Sequence, residues 1–101
     1  MNNFKFELII NHYLIMDSLN EEISQRKLSI SMMTETLELL RSVIITAQSH
    51  CVVATASKQE VDCFQLKILE SQQYCKNIEK RIALRYSEIK SLKIQLNNIS
   101  L

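Results

Sequence analysis

The chain has 101 residues, of which 47% are hydrophobic and 23% are charged, and its formal net charge at pH 7 is +1. It contains no glycine and no proline. Since sheets, tight turns and glycine-rich phosphate loops depend on those residues, the composition predicts a single all-α domain over residues 1–101 with few connections. The nearly balanced charge provides no general attraction to nucleic acid or to a membrane surface.

We expect neither an export signal nor a membrane span in this sequence. Its apolar beginning is interrupted by Glu7, Asn11 and His12, has one early lysine and lacks a small-residue cleavage site, so we do not expect a signal peptide. No apolar run reaches the roughly 18 residues of a membrane span. The odd number of cysteines, three, without a CxxC spacing, indicates free thiols in a reducing compartment, and we expect a cytoplasmic protein.

A first helical arm, about residues 4–54, is marked by apolar residues spaced alternately three and four apart. Eleven of the thirteen positions in this series are apolar. The series is His12, Met16, Leu19, Ile23, Arg26, Ile30, Met33, Leu37, Leu40, Ile44, Ala47, Cys51 and Ala54. It is the seven-residue repeat of a coiled-coil seam, sustained for about six heptads.

A turn at about residues 55–57 separates this arm from a second one, about residues 58–99. Ser57 and Glu60 have the spacing of a capping box, which starts a helix near Lys58. A second seam in a new phase begins close by, with ten of twelve positions apolar. Its members are Val61, Phe64, Ile68, Ser71, Cys75, Ile78, Ile82, Arg85, Ile89, Leu92, Leu96 and Ile99. Because the phase change and the capping box coincide, we predict an antiparallel two-helix coiled-coil hairpin.

Two other architectures fit parts of the pattern. One is a single unbroken helix in which the phase change is a local overwinding. The other is an unequal three-helix bundle, in which the first arm breaks within residues 27–34, where serine and threonine cluster. Asp17 and Ser18, followed by Glu21, could also cap a helix and leave a separate first segment.

Two arginines interrupt the apolar seams, one on each arm. In the antiparallel pairing, Arg26 and Arg85 fall in the same or neighbouring layers, where Glu22 and Glu88 are placed to neutralise them. A polar layer of this kind lowers stability and sets the register of the two helices.

The first arm extends beyond the second, and the extension is apolar. Residues 1–10 have no predicted partner on the second arm, yet they include Phe4, Phe6, Leu8, Ile9 and Ile10. We predict that these residues bind a protein partner at the end of the hairpin opposite the turn, flanked by Leu96 and Ile99 from the second arm. Further apolar residues off the seams near the turn could form another contact surface, for self-association or a partner. They are Leu39, Val43, Ile45, Val52, Val53, Leu66 and Leu69.

No catalytic, cofactor-binding or metal site is predicted. P-loop, HExxH, GxSxG and dinucleotide motifs are absent from the sequence. His12 and His50 lie too far apart along one arm to share a metal, and the spacing of Cys51 and Cys63 beside His50 does not require zinc. A two-helix hairpin also lacks a cleft in which carboxylate pKa values could be tuned, so an enzyme is not expected.

The start of the second arm, Ser57-Lys58-Gln59-Glu60-Val61, resembles the corresponding start in some members of a known family. These are the small rod proteins of type III secretion and flagellar export, of which FliJ is the flagellar member, and the likeness in architecture covers the whole chain. The resemblance implies a cytoplasmic antiparallel coiled coil that acts as a stalk in the ring of the export ATPase of a virulence system. It also implies that the chain itself hydrolyses nothing.

Two other functions remain open at this stage. One is a small helical secretion chaperone that shields the amphipathic helices of a partner. The other is an RNA-binding helical-hairpin dimer, which is suggested by basic residues on the second arm. An acidic first arm could balance them, since residues 1–50 carry a net charge of −2 and residues 51–101 a net charge of +3. The basic residues are Lys76, Lys80, Arg81, Arg85, Lys90 and Lys93.

Overall fold

The structure is a computed structural model that describes residues 2–52 and 57–99, with side chains from residue 3 onward. It consists of helix α1, Asn2–Cys51, and helix α2, Lys58–Ile99, and no strand occurs among the described residues. The two helices pack in antiparallel directions, which confirms the predicted all-α two-helix coiled-coil hairpin. A single unbroken helix does not form, because α1 and α2 are separate helices that pack against each other. A three-helix bundle does not form either, because α1 runs without interruption through residues 17–34.

The helix bounds lie close to the predicted arms. α2 occupies the residues expected for the second arm, whereas α1 ends at Cys51 rather than at residue 54. The Val52 N–H donates to the Ser49 carbonyl at 3.3 Å, a contact three residues back that tightens the last turn of α1. Of the predicted turn, residues 55 and 56 lie outside the described residues.

Ser57 caps the beginning of α2. The Glu60 N–H donates to Ser57 Oγ at 3.1 Å, and the Val61 N–H donates to the Ser57 carbonyl at 3.0 Å. The serine side chain thereby satisfies one of the N–H groups that have no partner inside the first turn of a helix. α2 consequently begins where the seam changes phase.

The two seams form the helix–helix interface. Every seam position that the structure describes is buried or half-buried, and all eight of the most buried apolar residues belong to the seams. Those eight are Ile23, Ile30, Leu37, Ala47, Cys75, Ile78, Ile89 and Leu92. Outside the seams, only three described residues are half-buried, namely Glu22, Ser29 and Glu88. Burial is therefore confined to one stripe on each helix.

The chain divides into two compact units, each built from one segment of α1 and one of α2. The first comprises residues 1–30 with 84–101, and the second comprises residues 31–83. Ile23, Ile30, Ile89 and Leu92 are the buried apolar residues of the first unit. In the second unit, Leu37, Cys75 and Ile78 form a core. Met33, Leu40, Ile44 and Ile82 pack against that core.

Candidate partner-binding surfaces

The beginning of α1 presents a dense group of exposed apolar side chains. We call residues 4–15 the N-terminal apolar segment. Eight of its residues are large, apolar and exposed: Phe4, Phe6, Leu8, Ile9, Ile10, Tyr13, Leu14 and Ile15. Phe4 and Phe6 are the most exposed of them, at 67% and 64%. Every residue from 3 to 11 is exposed, so α2 covers none of this stretch.

The apolar side chains of this segment project in several directions around the helix. Successive residues of an α-helix are about 100° apart, so Phe4 and Phe6 project about 160° from each other. Ile10 and Leu14 occupy further directions between the polar positions Lys5 and Glu7. Exposed apolar side chains that project in nearly opposite directions need contacts on more than one side of the helix to be buried. The segment therefore fits a concave partner site better than a flat one.

The two α2 residues predicted to flank this contact have a different environment. Leu96 and Ile99 are half-buried and continue the α2 seam within the first unit. They belong to the helix–helix interface, whereas the five apolar residues predicted on α1 are exposed. The exposed set also includes three apolar residues that were not predicted from the sequence, Tyr13, Leu14 and Ile15.

The polar layer of the first unit is organised around Glu88. Arg26 Nε donates to Glu88 Oε2 at 2.8 Å, and Arg85 Nη1 donates to Glu88 Oε1 at 2.6 Å. Glu22 contacts Arg26 through its main-chain carbonyl, which accepts from Arg26 Nη1 at 3.2 Å. The structure thus places the Glu88 carboxylate between the two guanidinium groups, as predicted. The expected neutralisation by Glu22 is wrong, because Glu22 reaches Arg26 only through its main-chain carbonyl and the guanidinium turns to Glu88 on the other helix.

This arrangement shifts the ionisation of Glu88. The hydrogen bond from Arg26, followed by that from Arg85, lowers the pKa of Glu88 below its ordinary value of 4.5, while partial burial opposes the shift. Glu88 is therefore ionised at neutral pH and connects α2 to α1 through its ion pair with Arg26. A polar pocket of about 230 Å³ lies beside it, lined by Gln25, Ser29 and the two arginines.

The second unit contains an apolar groove along one flank of its seam. It has a volume of about 420 Å³ and is lined by Leu39, Ser42, Val43, Thr46, Ala47, His50, Phe64 and Lys67. The His50 and Phe64 rings stack with centroids 5.0 Å apart and planes 12° from parallel, which joins α1 to α2. The Lys67 ammonium lies 5.9 Å from the centroid of the Phe64 ring. Leu39 and Val43 supply the exposed aliphatic wall.

The other flank of the second unit carries an ion pair. Arg41 Nη2 bonds to Glu79 Oε1 at 3.3 Å, and both side chains are exposed. Arg41 and Val43 lie on α1 about 160° apart. Ile45, which is exposed and about 40° from Arg41 around the helix, lies on this flank too. The ion pair therefore distinguishes this flank from the groove flank, whereas exposed aliphatic side chains occur on both.

The cysteines and histidines form no metal site in the part of the chain that the structure describes. No group of three or more potential ligands comes together there. Cys51, Cys63 and Cys75 are free thiols, of which Cys75 is buried in the core of the second unit. Cys75 thus has the role of a small apolar core residue.

Comparisons of the chain with protein-family models, with curated proteins and with solved structures found no match. The resemblance at Ser57–Val61 to the small proteins of type III export stays a prediction. Within the described residues, neither helix contains an 18-residue stretch apolar enough to cross a bilayer.

Sequence reasoning identified Leu39 and Val43 as off-seam apolar residues but did not identify the groove that they line. One signal was available. From Ser42 to Ser57 the chain has no aspartate, glutamate, lysine or arginine, which is unusual for a helix with solvent on one side. The contributions of His50 and Phe64 depend on how the two helices pack together, which neither seam reveals alone.

Proposed function

We propose that this chain is a non-enzymatic coiled-coil interaction protein that holds a protein partner through its N-terminal apolar segment. The observation that carries this proposal is the exposure of eight large apolar side chains within twelve residues of one helix. Each apolar side chain left in water forgoes about 1.5–3 kcal/mol relative to burial. Exposed apolar clusters of this density mark protein interaction sites.

The distribution of these side chains favours a particular kind of partner. A client helix lying along the segment would cover one side of it and leave Phe4 or Phe6 in water. A socket that encloses the helix would cover both. The central opening of a ring-shaped assembly is such a socket, which supports the role of a cytoplasmic stalk in the export ATPase of a type III secretion system over that of a chaperone.

A binding measurement with the export ATPase subunit from the same organism tests this proposal. Phe4→Lys combined with Phe6→Lys should raise Kd about 100-fold or more, because two aromatic contacts are replaced by charged groups. Leu66→Lys combined with Leu69→Lys is the matched control, since it also places two lysines at exposed apolar positions. The control should change Kd by less than about threefold.

Three results would count against the proposal. Equal affinity of the Phe4/Phe6 variant and the unmodified chain for the ATPase would remove the segment from the contact. Absence of binding by the unmodified chain, together with rescue of an otherwise insoluble secreted protein on co-expression, would assign the chaperone role. Salt-sensitive binding to RNA would point to the nucleic-acid alternative.

A further inference from the structure

We infer that the apolar groove of the second unit is the binding site for a second copy of this chain, so that two hairpins pair groove to groove about a two-fold axis. This surface is distinct from the N-terminal apolar segment. The groove has a volume of about 420 Å³ and lies beside the seam. Two helical hairpins that each bury one stripe commonly complete their cores as a four-helix arrangement.

Two hydroxyl groups on this part of α1, those of Thr46 in the groove and of Ser49 beside it, need nothing from the occupant. Thr46 Oγ1 donates to the Ser42 carbonyl at 3.0 Å, so its hydroxyl is satisfied within α1. The same holds for Ser49 Oγ, which donates to the Ile45 carbonyl at 3.0 Å. An apolar surface can therefore cover this part of α1 without leaving those hydroxyl groups unpaired, which would cost stability.

The charge pattern of the α1 wall of the groove suits a second copy of the same surface. In a two-fold interface a patch meets itself, so any net charge on it would repel its own copy. α1 carries no charged residue after Arg41, and within the groove only Lys67 is charged. Its ammonium group lies over Phe64 on α2. The α1 wall of the groove can accordingly face its own copy without like charges in contact.

The number of different patches in an interface determines whether the association closes. Head-to-tail assembly requires two different complementary patches, whereas a two-fold dimer requires one. In the second unit, the flank opposite the groove carries the exposed Arg41–Glu79 ion pair. Pairing through the groove alone therefore closes as a dimer.

The exposed area of the chain leaves room for such an interface. The accessible surface is 8096 Å² for a chain of 11.8 kDa, whereas a compact monomer of that mass exposes about 5,900 Å². The excess is about 2,200 Å², and a stable interface buries roughly 800 Å² on each partner. The chain can bury that area in a dimer and still keep its N-terminal apolar segment exposed.

Sedimentation equilibrium on the full chain tests the inference. We expect a species of about twice 11.8 kDa, with Kd about 10 μM or tighter. Leu39→Lys should raise that Kd about 30-fold, because an ammonium group would enter an apolar contact. Leu69→Lys is the matched control, since Leu69 is exposed to a similar degree, 63% against 69%, but lies outside the groove. It should change Kd by less than about threefold.

A second readout keeps the test decisive even if Leu39→Lys perturbs folding. In a mixture of isotope-labelled and unlabelled chains, filtered NMR spectra should show contacts between copies among the methyl groups of Leu39, Val43 and Thr46. A monomer at 100-fold the expected Kd would overturn the inference, and so would contacts between copies at Leu66 and Leu69. Deletion of residues 2–10 should leave the dimer intact. Loss of the dimer on that deletion would place self-association in the N-terminal apolar segment instead.

Discussion

At the scale of single residues, Glu88 determines how the polar layer of the first unit is satisfied. Its carboxylate accepts from Arg26 across the helix pair and from Arg85 on its own helix. Glu22, four residues before Arg26, has the spacing of a stabilising pair along one helix. Arg26 nevertheless directs Nε to Glu88 and uses Nη1 for the Glu22 carbonyl. The Arg26–Glu88 ion pair connects α1 to α2, whereas a pair between Glu22 and Arg26 would connect only residues of the same helix.

The lowered pKa of Glu88 predicts a specific dependence of stability on pH. A carboxyl group whose pKa is lower in the folded chain contributes stability above its unfolded value, here about 4.5, and loses it as pH falls through the folded value. Thermal melts should therefore show Glu88→Gln less stable than the unmodified chain at pH 7, with a gap that narrows below about pH 4.5. A gap that stays constant from pH 7 to pH 2 would contradict this assignment.

The same substitution in a chain that lacks Arg26 tests whether the ion pair causes this pH dependence of stability. The hydrogen bond from Arg26 contributes most to the lowered pKa. In an Arg26→Met chain, the difference between Glu and Gln at position 88 should shrink at pH 7 because the main donor is gone. Circular dichroism melts of the four chains measure this coupling.

At the scale of the elements, Ser57 determines where α2 begins. Its Oγ accepts the Glu60 N–H at 3.1 Å. Ser57→Ala should lower the free energy of unfolding by about 1 kcal/mol, whereas Ser57→Asp should retain most of the capping. Urea denaturation of the three chains measures the difference. Equal stability of Ser57→Ala and the unmodified chain would remove this residue from the cap.

The seams make a stronger prediction for both helices. Leu37 is buried in the core of the second unit and Ile82 packs against it. An aspartate at either position would bury an uncompensated carboxylate at a cost of several kcal/mol, so Leu37→Asp and Ile82→Asp should each unfold much of the hairpin. Glu38→Ala, at an exposed position, should change stability by less than about 0.5 kcal/mol. Equal melting temperatures for the three variants would refute the seam assignment.

Much of this level of structure could be predicted from the order of residues. The spacing of the seams depends only on helix geometry, and it located each buried position from Ile23 to Leu92. The groove could not be predicted in the same way. A heptad pattern does not distinguish one flank of a seam from the other. The stacking of His50 on Phe64 depends in addition on the relative register and rotation of the two packed helices. The sequence placed Glu22 and Glu88 near the arginines, but it did not show which of the two carboxylates pairs with Arg26, because that depends on the relative position of the two helices.

At the scale of the whole molecule, folding and partner binding should be separable. Residues 3–11 are exposed throughout and the seam begins at His12, so deletion of residues 2–10 removes little of the helix–helix interface. We expect the truncated chain to keep its helicity per residue and nearly the same melting temperature. Unfolding on truncation would show that the segment belongs to the core.

Hydrogen–deuterium exchange, followed by mass spectrometry, on the full chain with and without the export ATPase subunit tests the central claim most directly. In the free chain, amides of residues 3–11 should exchange rapidly, while those around Leu37 and Ile78 should be protected by the packed seam. Addition of the ATPase should slow exchange across residues 4–15 and leave the core unchanged. Protection of residues 3–11 in the free chain, or unchanged exchange there in the complex, would contradict the claim that this segment holds the partner.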